Sequence, residues 1–209
     1  MELIKNLEWR YATKKFDASK KISAEHLEKI KEAVRLSASS YGLQLYKVLI
    51  IEDAEVREKL KAASWGQTQI TDASQVVVFC NYNEVQDAHL DDYLQRKATS
   101  VGMKVEDLKG YADFMKGKLG EKTTQEIQEW TARQTYIALG NLLAATAELN
   151  IDACPMEGFE PADYDKILGL SDQGLSAAVV ATIGYRSAED QTQHAPKVRK
   201  ETNELFEVI

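Results

Sequence analysis

Trp9-Arg10-Tyr11-Ala12-Thr13-Lys14-Lys15-Phe16 places three cations and three aromatics in eight positions, and the reading of the chain works outward from it. Before it, Leu3, Ile4 and Leu7 have the spacing of one side of a short helix over 1–8. After it, Asp17 to Lys21 leads to Ser23, a plausible N-cap, and Leu27, Ile30, Ala33 and Val34 recur at the spacing of a half-buried helix over 24–36. Ser37-Ala38-Ser39-Ser40-Tyr41-Gly42 then reads as a loop, because these residues bond to local backbone or tolerate strained dihedrals.

Further on, strands are expected over 45–51, 76–80, 151–154 and 176–185, with β-branched residues concentrated in the second. Helical spacing recurs over 54–63. Residues 85–118 read as two helices broken near Ser100 and Gly102, and Tyr164 to Leu168 as a helical turn or two. Thr123-Thr124-Gln125-Glu126 has the spacing of a capping box and opens the longest helix, to Leu149. Its second half is small and apolar on several sides, which predicts burial all round, in a core or against another subunit. Strands mixed irregularly with helices indicate an α+β class. The polar arm from Arg186 ends in Leu205, Phe206, Val208 and Ile209, which need a surface to dock on, a neighbouring subunit being one candidate.

Composition narrows the functional classes. Of 209 residues, 44% are hydrophobic, enough for a sizeable core and against overall disorder. Lys plus Arg number 26 against 33 Asp plus Glu, a net charge of −7, so a broad basic nucleic-acid surface is not expected. No apolar run approaches the ~20 residues that cross a bilayer, and the first ten residues lack the apolar core of a secretory signal. Cys80 and Cys154 lie in apolar stretches and read as buried free thiols, and a cytoplasmic setting fits. His26 and His89 fall on helices and are expected to face solvent. The three histidines form no metal-ligand spacing with each other or with a cysteine, so no metal is expected. G-x-S-x-G, G-x-G-x-x-G and the P-loop pattern are all missing.

Two cation clusters remain in this acidic chain: Arg10 with Lys14 and Lys15, and Lys197 with Arg199 and Lys200. They are either solvated surface charge or, if they converge, an anion site in which Arg binds phosphate through two parallel bonds. The hydroxyls of Ser37, Ser39 and Ser40 could donate to phosphate or to a polar ring edge. Pro155-Met156-Glu157-Gly158, just past a strand, would let backbone approach a flat ligand closely.

In this order the pieces resemble the FMN-dependent nitroreductase family. Arg10 to Asp17 is similar to the family's R-x-S-x-[KR]-x-F-[DS], Ser37 to Gln44 to its S-P-S-S-x-N-x-Q, Pro155 to Gly158 to its P-[IM]-[EG]-G, and Lys197-Val198-Arg199 to its [KR]-x-[KR]. The resemblance implies a central mixed, mostly antiparallel sheet flanked by helices, in one FMN-binding domain over 1–209. It also implies a homodimer with the arm 186–209 exchanged between subunits to complete the partner's sheet edge. Arg10, Lys197 and Arg199 would hold the FMN phosphate, Lys14 would lie by the pyrimidine edge as the catalytic electrostatic group, and Ser39 and Ser40 would come from the other subunit. The backbone around Glu157 and Gly158 would approach the flavin, and the implied cofactor-binding set also takes in Tyr11, Ala12, Ser37, Gln67, Gln69, Pro155 and Met156. Ala12 stands where Ser is usual, Gly42 and Gly66 where Asn is common, and Leu45-Tyr46 for Pro-Trp, so Gln67 or Gln69 would have to contact the ring. The implied activity is ping-pong reduction of nitroaromatic, quinone or flavin-like acceptors by NADH or NADPH. The alternatives are a dedicated flavin or pteridine reductase and a non-enzymatic flavin-binding dimer.

Overall fold

Four consecutive apolar residues of one strand, Val76 to Phe79, divide the interior by simple alternation. Val76 and Val78 join one cluster with Leu60, Ile70 and Tyr164, whereas Val77 and Phe79 join another with Ile30, Val34 and Leu142. A strand buried on both faces requires a layer on each side, and the computed structural model, which describes residues 1–209, shows both. The elements in chain order are α1 (Glu2–Trp9), α2 (Ala24–Arg35), β1 (Tyr46–Ile51), α3 (Ala54–Ala62), α4 (Gln69–Asp72), β2 (Gln75–Tyr82), α5 (Asp87–Val101), α6 (Lys109–Gly120), α7 (Thr124–Glu148), β3 (Asp152–Met156), α8 (Pro161–Leu168), β4 (Leu175–Gly184) and α9 (Thr202–Leu205). Helices α3, α4 and α8 cover one face of the sheet, and α2 and α7 the other.

The sheet order is β1-β2-β4-β3 with every pair antiparallel, and its parallel component is limited to a single bridge between Ala12 and Ala153. In β4 the pairing passes from Val179 opposite Phe79 to Ala177 opposite Cys80, leaving Ala178 as the extra residue of a bulge. The bulge switches the strand's faces: Leu175 and Ala177 share a cluster with Val180, while Val179, Ala181 and Ile183 pack on the opposite side. Edge strand β3 is covered by the Ala12 bridge. Edge strand β1 carries no neighbour on its outer side.

Local chemistry sets the boundaries. The Ser23 hydroxyl accepts the N–H of His26 to open α2, Thr123 and Glu126 form the expected capping box of α7, and α5 stops where Gly102 turns left-handed at φ 69°. The unanticipated α4 is held by Arg57, whose buried guanidinium donates to the carbonyls of Ile70, Thr71, Ala73 and Ser74 at its end.

Of the two settings expected for α7, burial all round in this chain's own core is not found, since Tyr136, Ile137 and Gly140 form an exposed stripe, and two further expectations change. His89 does not simply face solvent: its ring packs on Tyr82 at 4.6 Å and its Nδ1 accepts the Gln86 N–H that opens α5. His26 is half-buried, with Nδ1 out of reach of water or partner. The cysteines are buried and free as expected, and burial pushes the Cys80 thiol up to about 12, which leaves it unreactive at neutral pH. No helix is long and apolar enough to cross a membrane, and no cluster of His, Cys, Asp and Glu could hold a metal ion.

Candidate functional site

Helix α1 ends at Trp9, and the chain leaves it extended through Arg10. The C-terminal arm returns to the same place, because the Lys197 ammonium donates to the carbonyls of Leu7 and Arg10 and so caps α1 across 190 residues of sequence. The result is a cleft of about 560 Å³ whose lining includes Arg10, Tyr11, Ala12, Pro155, Lys197 and Arg199. The two cation clusters therefore converge through Arg10, Lys197 and Arg199, while Lys14, Lys15 and Lys200 are not among the lining residues and Lys15 pairs with Glu189 at 3.6 Å.

None of the chain's ion pairs involves Arg10, Lys14, Lys197 or Arg199. Burial lowers the affinity of Arg10 for its proton, and repulsion from Arg199 lowers it further. Lys197 is depressed by burial and by Arg10 and Arg199, with Glu8 giving back a part. The Nε of Arg10 is buried and has no hydrogen-bond partner. A buried charged donor left unsatisfied is costly unless a ligand completes it. The donors available are those of the Arg10 guanidinium, those of Arg199 apart from the Nη1 bond it gives the Val198 carbonyl at 2.6 Å, and the third N–H of Lys197, a set that suits a phosphate dianion.

From Pro155 the backbone runs to a turn at Gly158. The Gln67 amide donates to the Gly158 carbonyl at 2.7 Å, and a Cβ at Gly158 would come within 2.8 Å of the Trp65 ring. Trp65 is 68% exposed, sits at φ 56°, and donates its indole N–H to Glu160 at 2.8 Å. Across the turn, the Tyr136 hydroxyl donates to Glu157 at 2.6 Å, and burial, followed by that hydrogen bond and the Glu157 charge, pushes the tyrosine up to about 12. Glycine thus lets the backbone at 158 lie against an aromatic face with no side chain between them.

Residues 7–185 match the Nitroreductase family. A relative in Staphylococcus saprophyticus named as an NAD(P)H nitroreductase is 37% identical, over 95% of this chain and 93% of its own length. One of the same name in Bacillus subtilis is 34% identical, over 96% and 94%. This chain belongs to the nitroreductase family. Solved structures agree on the fold: a Bacillus subtilis nitroreductase superposes with a TM-score of 0.89 at 22% identity, covering 100% of this chain and 99% of that one. A nitroreductase from Exiguobacterium sibiricum, solved in complex with FMN, superposes with a TM-score of 0.86 at 18% identity, covering 100% and 98%.

Within this nitroreductase fold the anticipated residues divide. Arg10, Lys197, Arg199 and Pro155 meet at one cleft, with Tyr11 and Ala12 on its wall. Tyr11 nevertheless commits its hydroxyl to Asp190 at 2.9 Å, and Ala12 is tied to Ala153, so the cleft sees their backbone region more than their chemistry. Lys14 is exposed and adjoins the same region, since its charge and that of Arg10 act on the buried Cys154 thiol of β3. Gln67 and Gly158 meet at the turn, whereas Met156 is buried in the core and Gln69 is buried beside Cys154, so neither presents its side chain freely. Ser37, Ser39 and Ser40 do not line their own chain's cleft. The Ser37 hydroxyl accepts from Asn141, Ser39 accepts from the N–H of Gln44, and Ser40 donates its N–H to Gln134, anchoring the loop partly on α7. Sequence reading missed Tyr136 and Asp190, whose partners are distant in the chain.

Proposed function

We propose that the chain is an FMN-dependent NAD(P)H oxidoreductase of nitroreductase type, taking nitroaromatic, quinone or flavin-like acceptors in a ping-pong cycle. The observation that carries the reading is the cation trio Arg10, Lys197 and Arg199, none of them in an ion pair although Glu8 lines the same cleft, with a buried Arg10 Nε lacking an acceptor. These residues would hold the phosphate. Lys14, exposed and unpaired, would supply positive charge beside the pyrimidine edge, and the turn at Gly158 with Gln67 would lie against the ring. FMN held there would supply the hydride chemistry between a nicotinamide and the second substrate, so the protein's part would be positioning and electrostatics. No protein histidine is required for this division of labour.

The dimer belongs to the same proposal. The outer edge of β1 borders a groove of about 570 Å³ lined by Leu27, Ile30, Val34, Tyr46, Val48 and Ile50 among others. Leu205, Phe206 and Val208 of the arm are exposed, and an arm from a second copy would cover an unpaired edge with apolar side chains. The stripe Tyr136, Ile137 and Gly140 and the α1 residues Leu3, Ile4 and Leu7 are open apolar surface that a partner would bury. Ser39 and Ser40 would then serve the partner's site.

Mass analysis of cofactor released from the purified protein tests the reading, with FMN expected. FAD, or no flavin after incubation with FMN, would overturn it.

A further inference from the structure

Asp190 lies where the chain leaves β4 for the arm, and it is 1% exposed. Its Oδ2 accepts the backbone N–H of Lys14 at 2.8 Å, that of Lys15 at 3.2 Å and the Tyr11 hydroxyl at 2.9 Å. Its Oδ1 accepts the N–H of Thr192 at 3.0 Å. Four donors converging on one side chain call for a carboxylate, because an amide offers only one accepting oxygen. Three of those donors belong to the segment that carries Lys14. The fourth belongs to the arm that carries Lys197 and Arg199.

Side chains around Lys14 have anchors of their own, Thr13 on Asp152 at 3.4 Å and Lys15 on Glu189 at 3.6 Å, but the N–H groups of Lys14 and Lys15 have none besides Asp190. The segment is attached to neighbouring chain by single bridges at Ala12 and Phe16, and between them the N–H groups of Lys14 and Lys15 find no backbone acceptor. The Lys14 ammonium pairs with no carboxylate, so its range is set at the root of its side chain. A second buried carboxylate braces the same segment elsewhere: Asp152 accepts the Thr13 hydroxyl at 3.4 Å, the Arg186 N–H at 2.8 Å and its guanidinium at 2.7 Å, with that guanidinium lying over Trp9 and Tyr11, and it takes no bond from the N–H groups of Lys14 and Lys15.

We infer that Asp190 is a positioning residue of the flavin site, fixing the backbone of Lys14 so that its ammonium stands by the isoalloxazine edge, and registering that segment against the phosphate-binding arm. The inference rests on the FMN reading above. It also carries a sign. Removing a negative charge near the ring would by itself favour the reduced, anionic flavin, whereas letting Lys14 drift would disfavour it.

Asp190→Asn, measured by redox titration at saturating FMN, should therefore shift the two-electron potential to more negative values, as should Lys14→Ala. The double variant should be no more negative than Lys14→Ala alone. Asp152→Asn, which loosens Thr13 and Arg186 but leaves the N–H bonds of Lys14 and Lys15 in place, should melt at lower temperature and shift the potential less than Asp190→Asn does. If Asp190→Asn does not fold, Tyr11→Phe, which strips one donor from Oδ2, should give a smaller shift of the same sign. An unchanged or more positive potential, additive shifts, or a silent Lys14→Ala would overturn the role of Asp190. Wild-type protein that takes up no FMN would instead reject the functional reading itself, before any variant is compared.

Discussion

Replacing Arg10 by methionine should move two observables in opposite directions. The stem of the arginine is kept and the guanidinium is lost. In the ligand-free protein that guanidinium is a liability: burial and Arg199 depress its pKa, and its Nε is buried without a partner. A base whose pKa falls on folding costs stability in its charged form, and a buried unsatisfied donor costs ~1–3 kcal/mol. Arg10→Met should thus melt no lower than wild type without FMN, and by up to a few degrees higher, at roughly 2–4 °C per kcal/mol for a chain of this size. With FMN the order reverses. A hydrogen bond between charged groups contributes ~1.5–3 kcal/mol, so FMN affinity should fall roughly 10- to 150-fold. Riboflavin, which lacks the phosphate, should bind both proteins alike. Thermal melts with no ligand, FMN and riboflavin, joined to calorimetric titration, read all three. A variant that melts lower without ligand and loses riboflavin as much as FMN would refute the assignment of Arg10 to a phosphate.

Truncation after Thr192 removes Lys197, Arg199 and the apolar end of the arm, and size-exclusion chromatography should show a monomer without FMN; a yellow dimer would contradict arm exchange. Gly158→Ala places a methyl 2.8 Å from the Trp65 ring and 3.1 Å from the Gln67 amide, so it should displace the indole from Glu160, change tryptophan emission and weaken FMN binding, at an overpacking cost of ~1–3 kcal/mol. Burial acts to raise the Asp190 carboxyl, but the N–H groups of Lys14 and Lys15, the Tyr11 hydroxyl and the Thr192 N–H together hold it below its ordinary 3.8. Its stabilisation is therefore complete above the unfolded value and lost as pH falls below about 4, and denaturation monitored against pH should show a shallower acid limb in Asp190→Asn.

Much of the fold was legible because its signals are local. Ser23 and the Thr123–Glu126 box cap their helices as read, Gly102 ends α5, and the β-branched apolar run through Val76 to Cys80 is a buried strand, as read. The bulge at Ala178 was not legible, since Ser176 to Ile183 is small or β-branched throughout and either register would look alike. Of the site, the cation clusters and the turn at Gly158 could be read, but not the reason they meet. Convergence depends on Lys197 capping a helix 190 residues away and on Asp190 gathering N–H groups 175 and 176 residues away, and neither contact leaves a pattern in neighbouring residues. Tyr136 was hidden differently: on a helix, an aromatic residue that faces Glu157 looks like one that faces the core.

The most direct measurement is an anaerobic titration of the FMN-loaded protein with NADH and NADPH, followed through the visible flavin band and then by addition of a quinone or nitroaromatic acceptor. The account predicts a yellow protein that bleaches with a nicotinamide and regains its colour on oxidation by the acceptor. A yellow protein that stays inert to both nicotinamides would reduce it to a flavin-binding dimer, and a colourless one that takes up no FMN would contradict the assignment of Arg10, Lys197 and Arg199.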